Sequence, residues 1–330
     1  MSDFKIYAYE VRPDEEAAFH ALSRRLGISI MMSPEVPSLE NASLAQGCGG
    51  ITMLGQGNIN AALLTCYHSM GIRYLSTRTI GYNHIDLDCA HSLGIRVCNA
   101  SYAPNGVADF TVMMILMCLR NYKQAMWRSK VNDFSLSGLM GREMRNLTIG
   151  IMGTGRIGRA VIQNLSGFGC RLLAYDVVQN EAVKNMASYV DLDTLYRESD
   201  VITLHMPLLD STKHIINQES IAKMKDQVIL INCARGQLMD SDALVDGIEK
   251  EKIGALGIDT FEGEENVVHK DLRVDIIANR NLFYLQQFRN VIFSQHMAFY
   301  TKEAIESMVR CGVEGLYQMF RNMKCPTELL

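Results

Sequence analysis

Residues 147–176 read LTIGIMGTGRIGRAVIQNLSGFGCRLLAYD, and the rest of the chain is organised around them. Residues 147–152 are a short apolar run suited to a buried strand. Gly153-Thr154-Gly155-Arg156-Ile157-Gly158 follows with G-x-G-x-x-G spacing, and helix-permissive residues continue to Phe168. A second apolar run, 171–175, ends in Asp176. Each part has a physical job if a dinucleotide lies across a strand–turn–helix unit. Gly153 permits the tight turn out of the strand, Gly155 lets a pyrophosphate approach the backbone, and Gly158 lets the helix pack closely on the sheet. The helix start offers unbonded N–H groups and a positive dipole end to phosphate. Asp176 lies 18 residues beyond Gly158, where a carboxylate accepts hydrogen bonds from ribose hydroxyls. That acid repels a 2′-phosphate, so the expected cofactor is NAD rather than NADP. The glycine spacing alone is weak evidence; the flanking strands and the acid make it specific.

Working outward, 330 residues suffice for two domains of ordinary size. Hydrophobic residues make up 48% and charged residues 21%, a soluble globular balance. A net charge of −4 gives no electrostatic case for nucleic acid. No apolar run approaches the roughly 20 residues of a membrane span. The first residues, MSDFKIYAYEV, carry acids early and lack the apolar core of a signal peptide. Nine cysteines without C-x-x-C spacing suggest reduced thiols and a cytoplasmic protein. The histidines show no metal-ligand spacing, so no metal is expected, and His84 reads as the start of a helix.

Before the glycine motif, strand-like runs at 4–9, 28–32, 50–54, 73–76 and 95–99 alternate with helical patterns. This β-α alternation predicts a smaller parallel sheet covered by helices. Residues 104–127 read as one long helix and 132–146 as an irregular arm. After Asp176, strand-like runs appear at 189–190, 201–204, 228–232, 255–258 and 291–293. Residues 263–287 read as a long polar loop and 301–323 as a closing helix. The expected architecture is α/β: two doubly wound parallel-sheet domains, with residues 1–101 and 299–330 in a substrate domain and 102–298 in a Rossmann domain.

Three polar residues follow three successive strand-like runs: Arg235 in INCARG, Glu264 in DTFEGE and His296 in SQH. Ligands of open α/β sheets lie at the carboxyl ends of strands. A guanidinium binds a carboxylate with paired hydrogen bonds. A histidine can protonate a carbonyl oxygen as hydride reaches its carbon. A carboxylate beside that histidine orients it and favours its protonated form.

GTGRIG with Asp176, HMPL at 205–208, INCARG, DTFEGE and QHMAFYT together resemble the D-isomer-specific 2-hydroxyacid dehydrogenase family over almost the whole chain. The segments FHALSRRLG, STRTIGYNHID and ASYAPNGVADF are similar to its D-lactate dehydrogenase branch, fermentative and vancomycin-resistance type. The resemblance implies that Arg235 binds the substrate carboxylate and carbonyl, that His296 donates the proton, and that Glu264 pairs with His296. It implies pyrophosphate contacts at Arg156 and Ile157, and further cofactor contacts at Met206, Pro207, Thr212, Cys233, Ala234, Arg235 and Asp259. Backbone N–H groups of Ile80 and Gly81 would hold the substrate carboxylate, with Tyr102 as an aromatic wall. A homodimer is implied, as is an interdomain cleft that closes over substrate. Gln295 stands where the family usually has Pro. Leu54 stands where several D-lactate dehydrogenases carry Tyr, which leaves more room. Pyruvate is the first expectation as substrate; 2-oxoisocaproate or phenylpyruvate is the alternative that Leu54 raises. A rival of another class is an NAD-sensing, corepressor-like regulator.

Overall fold

The computed structural model describes residues 4–265 and 267–329. The chain divides into two units, one running to Ala103 and resuming at Tyr300, the other comprising Pro104–Phe299. In the first, β1 (Lys5–Ala8), β2 (Ser29–Met32), β3 (Gly50–Met53), β4 (Tyr74–Thr77) and β5 (Arg96–Cys98) form a parallel sheet in the order 2-1-3-4-5. In the second, β6 (Thr148–Met152), β7 (Arg171–Tyr175), β8 (Ser188–Tyr189), β9 (Val201–Leu204), β10 (Val228–Asn232), β11 (Ile253–Ile258) and β12 (Val291–Phe293) are also parallel, in the order 8-7-6-9-10-11-12. Both sheets are doubly wound. Helices cover both faces, so central strands such as β9 and β10 are buried throughout and read as mainly apolar runs.

The direction of winding reverses between β1 and β3 in the first sheet and between β6 and β9 in the second. Loops that leave the carboxyl ends of strands at such a reversal splay apart and open a crevice. Residues 54–57 leave β3 beside Glu10, which leaves β1. Residues 153–158 leave β6 beside 205–212, which leave β9.

Helix Lys302–Phe320 belongs to the first unit. Thr301 caps it by accepting from the Ala304 N–H, and Ile305, Val309, Val313 and Leu316 form its buried stripe. Each such side chain contributes roughly 1.5–3 kcal/mol on burial. The helix lies close to the sheet through Gly312 and Gly315, where a Cβ would meet Thr52 Oγ1 at 2.9 Å and Cys98 Sγ at 2.6 Å. A short strand absent from the sequence reading, β13 (Glu328–Leu329), then pairs antiparallel with β5. Arg96 clasps the Glu328 carboxylate with two bonds of 2.6 and 2.8 Å.

Three sequence expectations need correction. The helix read over 104–127 is two helices, Asn105–Leu119 and Tyr122–Ser129. Asn121 turns left-handed between them (φ 50°), and the Arg142 N–H bonds the Leu119 carbonyl, capping the first helix with the returning arm. The loop read over 263–287 ends in helix Arg280–Gln287, capped by Asn279 and anchored by buried Leu285. His84 starts no helix: Asp86 caps the helix Leu87–Ser92, and the imidazole lies against Gly55. Among the described residues, no helix is long and apolar enough to cross a membrane.

Candidate active site

The crevice of the second sheet begins at the glycine motif. Gly153 has φ 94°, and a Cβ there would meet the His205 carbonyl oxygen at 2.6 Å. At Gly158 a Cβ would stand 1.9 Å from the Gly153 oxygen, so only glycine lets helix Arg156–Ser166 start this close to the turn. Gly155 is the opposite case: a Cβ would meet nothing within 4 Å. The backbone at Gly155, just before Arg156 and Ile157, therefore has open space beside it, the shape a pyrophosphate needs in order to reach first-turn N–H groups. Asp176 follows β7. Its Oδ2 accepts from the Thr154 N–H (2.6 Å) and hydroxyl (3.0 Å), and its Oδ1 takes a 3.2 Å bond from the Val178 N–H. Thr154 bonds in turn to the Tyr189 hydroxyl at 2.8 Å. The carboxylate is thus held in place and remains half-buried rather than sealed. These residues fit the diphosphate and ribose of a dinucleotide.

On the other side of the reversal, His205 bonds Thr203 Oγ1 at 3.0 Å. Burial lowers its pKa to about 3, so the ring is neutral. Met206 is buried and Pro207 exposed. The Thr212 hydroxyl donates to the Pro207 carbonyl (2.7 Å) and accepts from the Leu209 N–H (2.8 Å), closing the 207–212 loop.

The loops after β10, β11 and β12 carry the three polar residues, and these strands are neighbours. Asn232 brackets the first loop: its Oδ1 accepts from the Ala234 N–H (3.0 Å) and its Nδ2 donates to the Arg235 carbonyl (2.8 Å). Arg235 Nη1 donates to the Ala234 carbonyl at 2.7 Å, and burial pushes the Cys233 thiol up. Glu264 faces two ways. Its Oε2 accepts from the Phe261 N–H at 3.0 Å, and its Oε1 lies 2.8 Å from His296 Nδ1. His296 adopts φ 52°, and no peptide bond among the described residues is cis, so Gln295 enters this turn as a trans residue. The turn is held from below by Asp259, which is fully buried. Asp259 Oδ1 accepts from the Ser294 hydroxyl (2.6 Å) and Met297 N–H (2.8 Å), and Oδ2 from the Ala298 N–H (2.9 Å). Asp259, expected to touch cofactor, also holds the loop that carries His296 through these three bonds. His269 adds a 3.1 Å contact from Nε2 to the His296 carbonyl.

In the first unit, Leu54, Ile80–Gly81 and Tyr102 lie on the loops after β3, β4 and β5, side by side at one edge of the sheet. Leu54 is 6% exposed and Ile80 is 38% exposed. Sequence reasoning missed Asn232, Thr154, Tyr189 and Ser294, which touch functional side chains or their loops. Asn232 sits inside the INCARG motif and was within reach; Tyr189 and Ser294 bond across gaps of 35 residues, which no local pattern records.

The family model described as D-isomer specific 2-hydroxyacid dehydrogenase, NAD binding domain, matches residues 112–298. An aromatic 2-oxoacid reductase of Clostridium sporogenes is 42% identical over 326 residues, covering 98% of each chain. Among solved structures, a D-lactate dehydrogenase of Treponema pallidum superposes with a TM-score of 0.90 at 30% identity, covering 99% of this chain and 100% of its own. A D-2-hydroxyisocaproate dehydrogenase superposes equally well, at 0.90 and 31%, with 99% coverage of each chain. The paired His296 and Glu264, the open helix start at Gly155 and the match over both units agree: this chain belongs to the D-isomer-specific 2-hydroxyacid dehydrogenase family and is an NAD-dependent oxidoreductase.

Proposed function

We propose that the protein uses NADH to reduce 2-oxo acids with bulky apolar side chains, aromatic or branched, to D-2-hydroxy acids, and that the reaction is reversible. The observation that carries the side-chain preference is Leu54, an aliphatic residue on the loop at the winding reversal of the first sheet. The likeness to an aromatic 2-oxoacid reductase supports the same reading. Pyruvate is the second reading, favoured by the likeness to a D-lactate dehydrogenase structure.

Bound NADH supplies the hydride that reduces the 2-carbon of the substrate. Arg235 holds the substrate carboxylate with paired N–H donors and polarises the carbonyl. By the family resemblance, the Ile80 and Gly81 N–H groups are assigned as carboxylate donors, with Leu54 and Tyr102 as apolar walls. His296 uses Nδ1 to donate to Glu264, which leaves Nε2 to protonate the carbonyl oxygen. The Glu264 carboxylate, 2.8 Å from Nδ1, fixes the ring so that Nε2 faces away from it. A panel of 2-oxo acids assayed by NADH oxidation, with chiral analysis of the product, tests the proposal. A higher kcat/KM for phenylpyruvate or 2-oxoisocaproate than for pyruvate is expected. A large pyruvate preference refutes the wider pocket, and NADH binding without any turnover refutes the enzyme reading in favour of a sensor.

The reading includes a homodimer. Trp127 (70% exposed), Phe134 (78%), Leu136 (83%) and Met140 (91%) lie on the helix Tyr122–Ser129 and the arm that follows it. So much exposed apolar surface on one short stretch suits a second copy of the chain; a monomer in analytical ultracentrifugation would refute this. A cytoplasmic setting is proposed with it, because all nine cysteines are free thiols.

A further inference from the structure

Glu10 lies two residues past β1, the strand at the reversal of the first sheet, and is only 4% exposed. Its carboxylate collects four consecutive backbone N–H groups. Oε2 accepts from Leu54 (2.5 Å) and Gly55 (2.7 Å), and Oε1 from Gln56 (2.9 Å) and Gly57 (3.0 Å). Successive amides that converge in this way form a nest, a concavity that binds anions. Here the anion is the chain's own side chain. Glu10 is itself anchored: its carbonyl accepts from Arg78 Nη2 at 3.0 Å, and its N–H bonds the Glu35 carbonyl. Arg78 is fully buried, pairs with Glu15 at 3.0 Å, and sends its N–H to the Met53 carbonyl at 2.7 Å. Arg78 also begins the Ile80–Gly81 turn. The His84 ring lies where a Cβ on Gly55 (φ 87°) would be 2.6 Å away. The backbone that carries Leu54 is therefore bonded to an acidic side chain, packed against an imidazole, and tied through Arg78 to the turn beside it.

We propose that Glu10 is a positioning residue for substrate choice: by fixing residues 54–57 it sets the height of the Leu54 side chain and so the size of 2-oxo acid that the enzyme accepts. This rests on the reading of Leu54 as a substrate wall. A carboxylate is acceptor-only and offers enough lone pairs for four donors, whereas a glutamine would turn its own N–H donors toward two of them. Glu10→Gln must therefore release part of the loop, while Glu10→Asp keeps the charge on a shorter stem.

The test compares wild type, Glu10→Gln, Glu10→Asp and Leu54→Ala. Each is measured for kcat and KM with phenylpyruvate and pyruvate, for NADH Kd by fluorescence, and for hydrogen exchange at residues 54–57. A shift of one methylene in a specificity pocket changes discrimination by roughly 10- to 200-fold, so Glu10→Gln is expected to move the phenylpyruvate-to-pyruvate ratio of kcat/KM by about tenfold or more. Amides 54–57 lose protection in the same variant, NADH Kd stays near wild type, and Glu10→Asp recovers part of the ratio. If Leu54→Ala moves the ratio and neither Glu10 variant does, the role of Glu10 is overturned and the wall reading stands. If Leu54→Ala leaves the ratio unchanged, the wall reading falls and the proposal with it. Should Glu10→Gln fail to fold, Glu10→Asp carries the same comparison.

Discussion

Gly155 and Gly158 lie three residues apart in one motif, yet their substitution by alanine should fail in different ways. At Gly158 the new Cβ would stand 1.9 Å from the Gly153 oxygen and 3.0 Å from its carbon. Restoring an ordinary contact needs a backbone displacement of more than about 1 Å in a packed interior, and overpacking on that scale costs roughly 1–3 kcal/mol or more. For a domain of this size each kcal/mol lowers Tm by roughly 2–4 °C. Gly158→Ala should therefore melt several degrees below wild type even without cofactor. At Gly155 a Cβ meets nothing within 4 Å, and φ is −63°, where any residue is at ease. The expected loss in stability is that of an alanine N-cap, about 1 kcal/mol. The methyl group would instead occupy the space a pyrophosphate needs. Losing one charged hydrogen bond there costs roughly 1.5–3 kcal/mol, or about ten- to hundred-fold in NADH affinity. Differential scanning calorimetry of the apo protein and NADH fluorescence titration separate the two effects. A Gly158→Ala protein with wild-type Tm, or a Gly155→Ala protein with wild-type NADH Kd, refutes this account of the motif.

Removing the imidazole in His296→Ala should abolish reduction and leave NADH affinity nearly intact; Glu264→Gln should lower kcat by roughly 10²-fold or more by weakening the orientation of Nδ1, again without a change in NADH Kd. Turnover retained in His296→Ala, measured in single-turnover experiments, rejects the proton-donor role. Asp176→Ser removes the acid that Thr154 holds and that we propose accepts from the ribose hydroxyls, so NADH Kd should rise and the NADPH-to-NADH ratio of kcat/KM should rise with it; an unchanged ratio rejects Asp176 as the discriminating residue. Burial lowers the His205 pKa to about 3, below its ordinary 6.5, so the unfolded chain binds this proton first as pH falls. The stability that neutral His205 contributes is complete above pH 6.5 and is lost progressively down to about pH 3. Tm measured from pH 7 to pH 5 should fall less in His205→Gln than in wild type, and an equal fall removes His205 from the acid response.

What is legible in the sequence is what local spacing constrains. The G-x-G-x-x-G turn and Asp176 lie within 30 residues, and each glycine answers to a neighbour a few residues away or to the adjacent strand. The apolar runs are legible because both sheets are parallel and covered on both faces, so a strand shows as a mainly apolar run. The helix break at Asn121 is not legible, because its cause is distant in sequence: the Arg142 N–H and the Asn121-to-Met140 bond complete the end of helix Asn105–Leu119. Apolar residues on both sides of the break then imitate one helix. Helix Arg280–Gln287 is hidden for a related reason, since its polar residues mask the few positions, such as Leu285, that anchor it.

The role of an acid at a strand end is the hardest feature to read, and the structure suggests how to sort it. Glu10, Asp176 and Asp259 each follow a strand by one or two residues, and each gathers N–H groups from a neighbouring loop. Their partners lie 44 to 47 residues away for Glu10, 22 for Thr154 on Asp176, and 38 and 39 for Met297 and Ala298 on Asp259. From the sequence, the spacing after the glycine motif points Asp176 to the ribose, while Asp259 is matched to the cofactor only through the family resemblance. Burial separates them: Asp259 is fully enclosed and Glu10 is 4% exposed, whereas Asp176 is only half-buried. A carboxylate whose oxygens are all engaged inside the protein gains most by fixing loop geometry, because removing any donor would leave a buried charge underpaired. One that is held by a single loop but left open to solvent retains acceptor capacity for a ligand hydroxyl. On this ground Glu10 and Asp259 act on the loops they hold, and Asp176 is the acid we propose for the ribose hydroxyls.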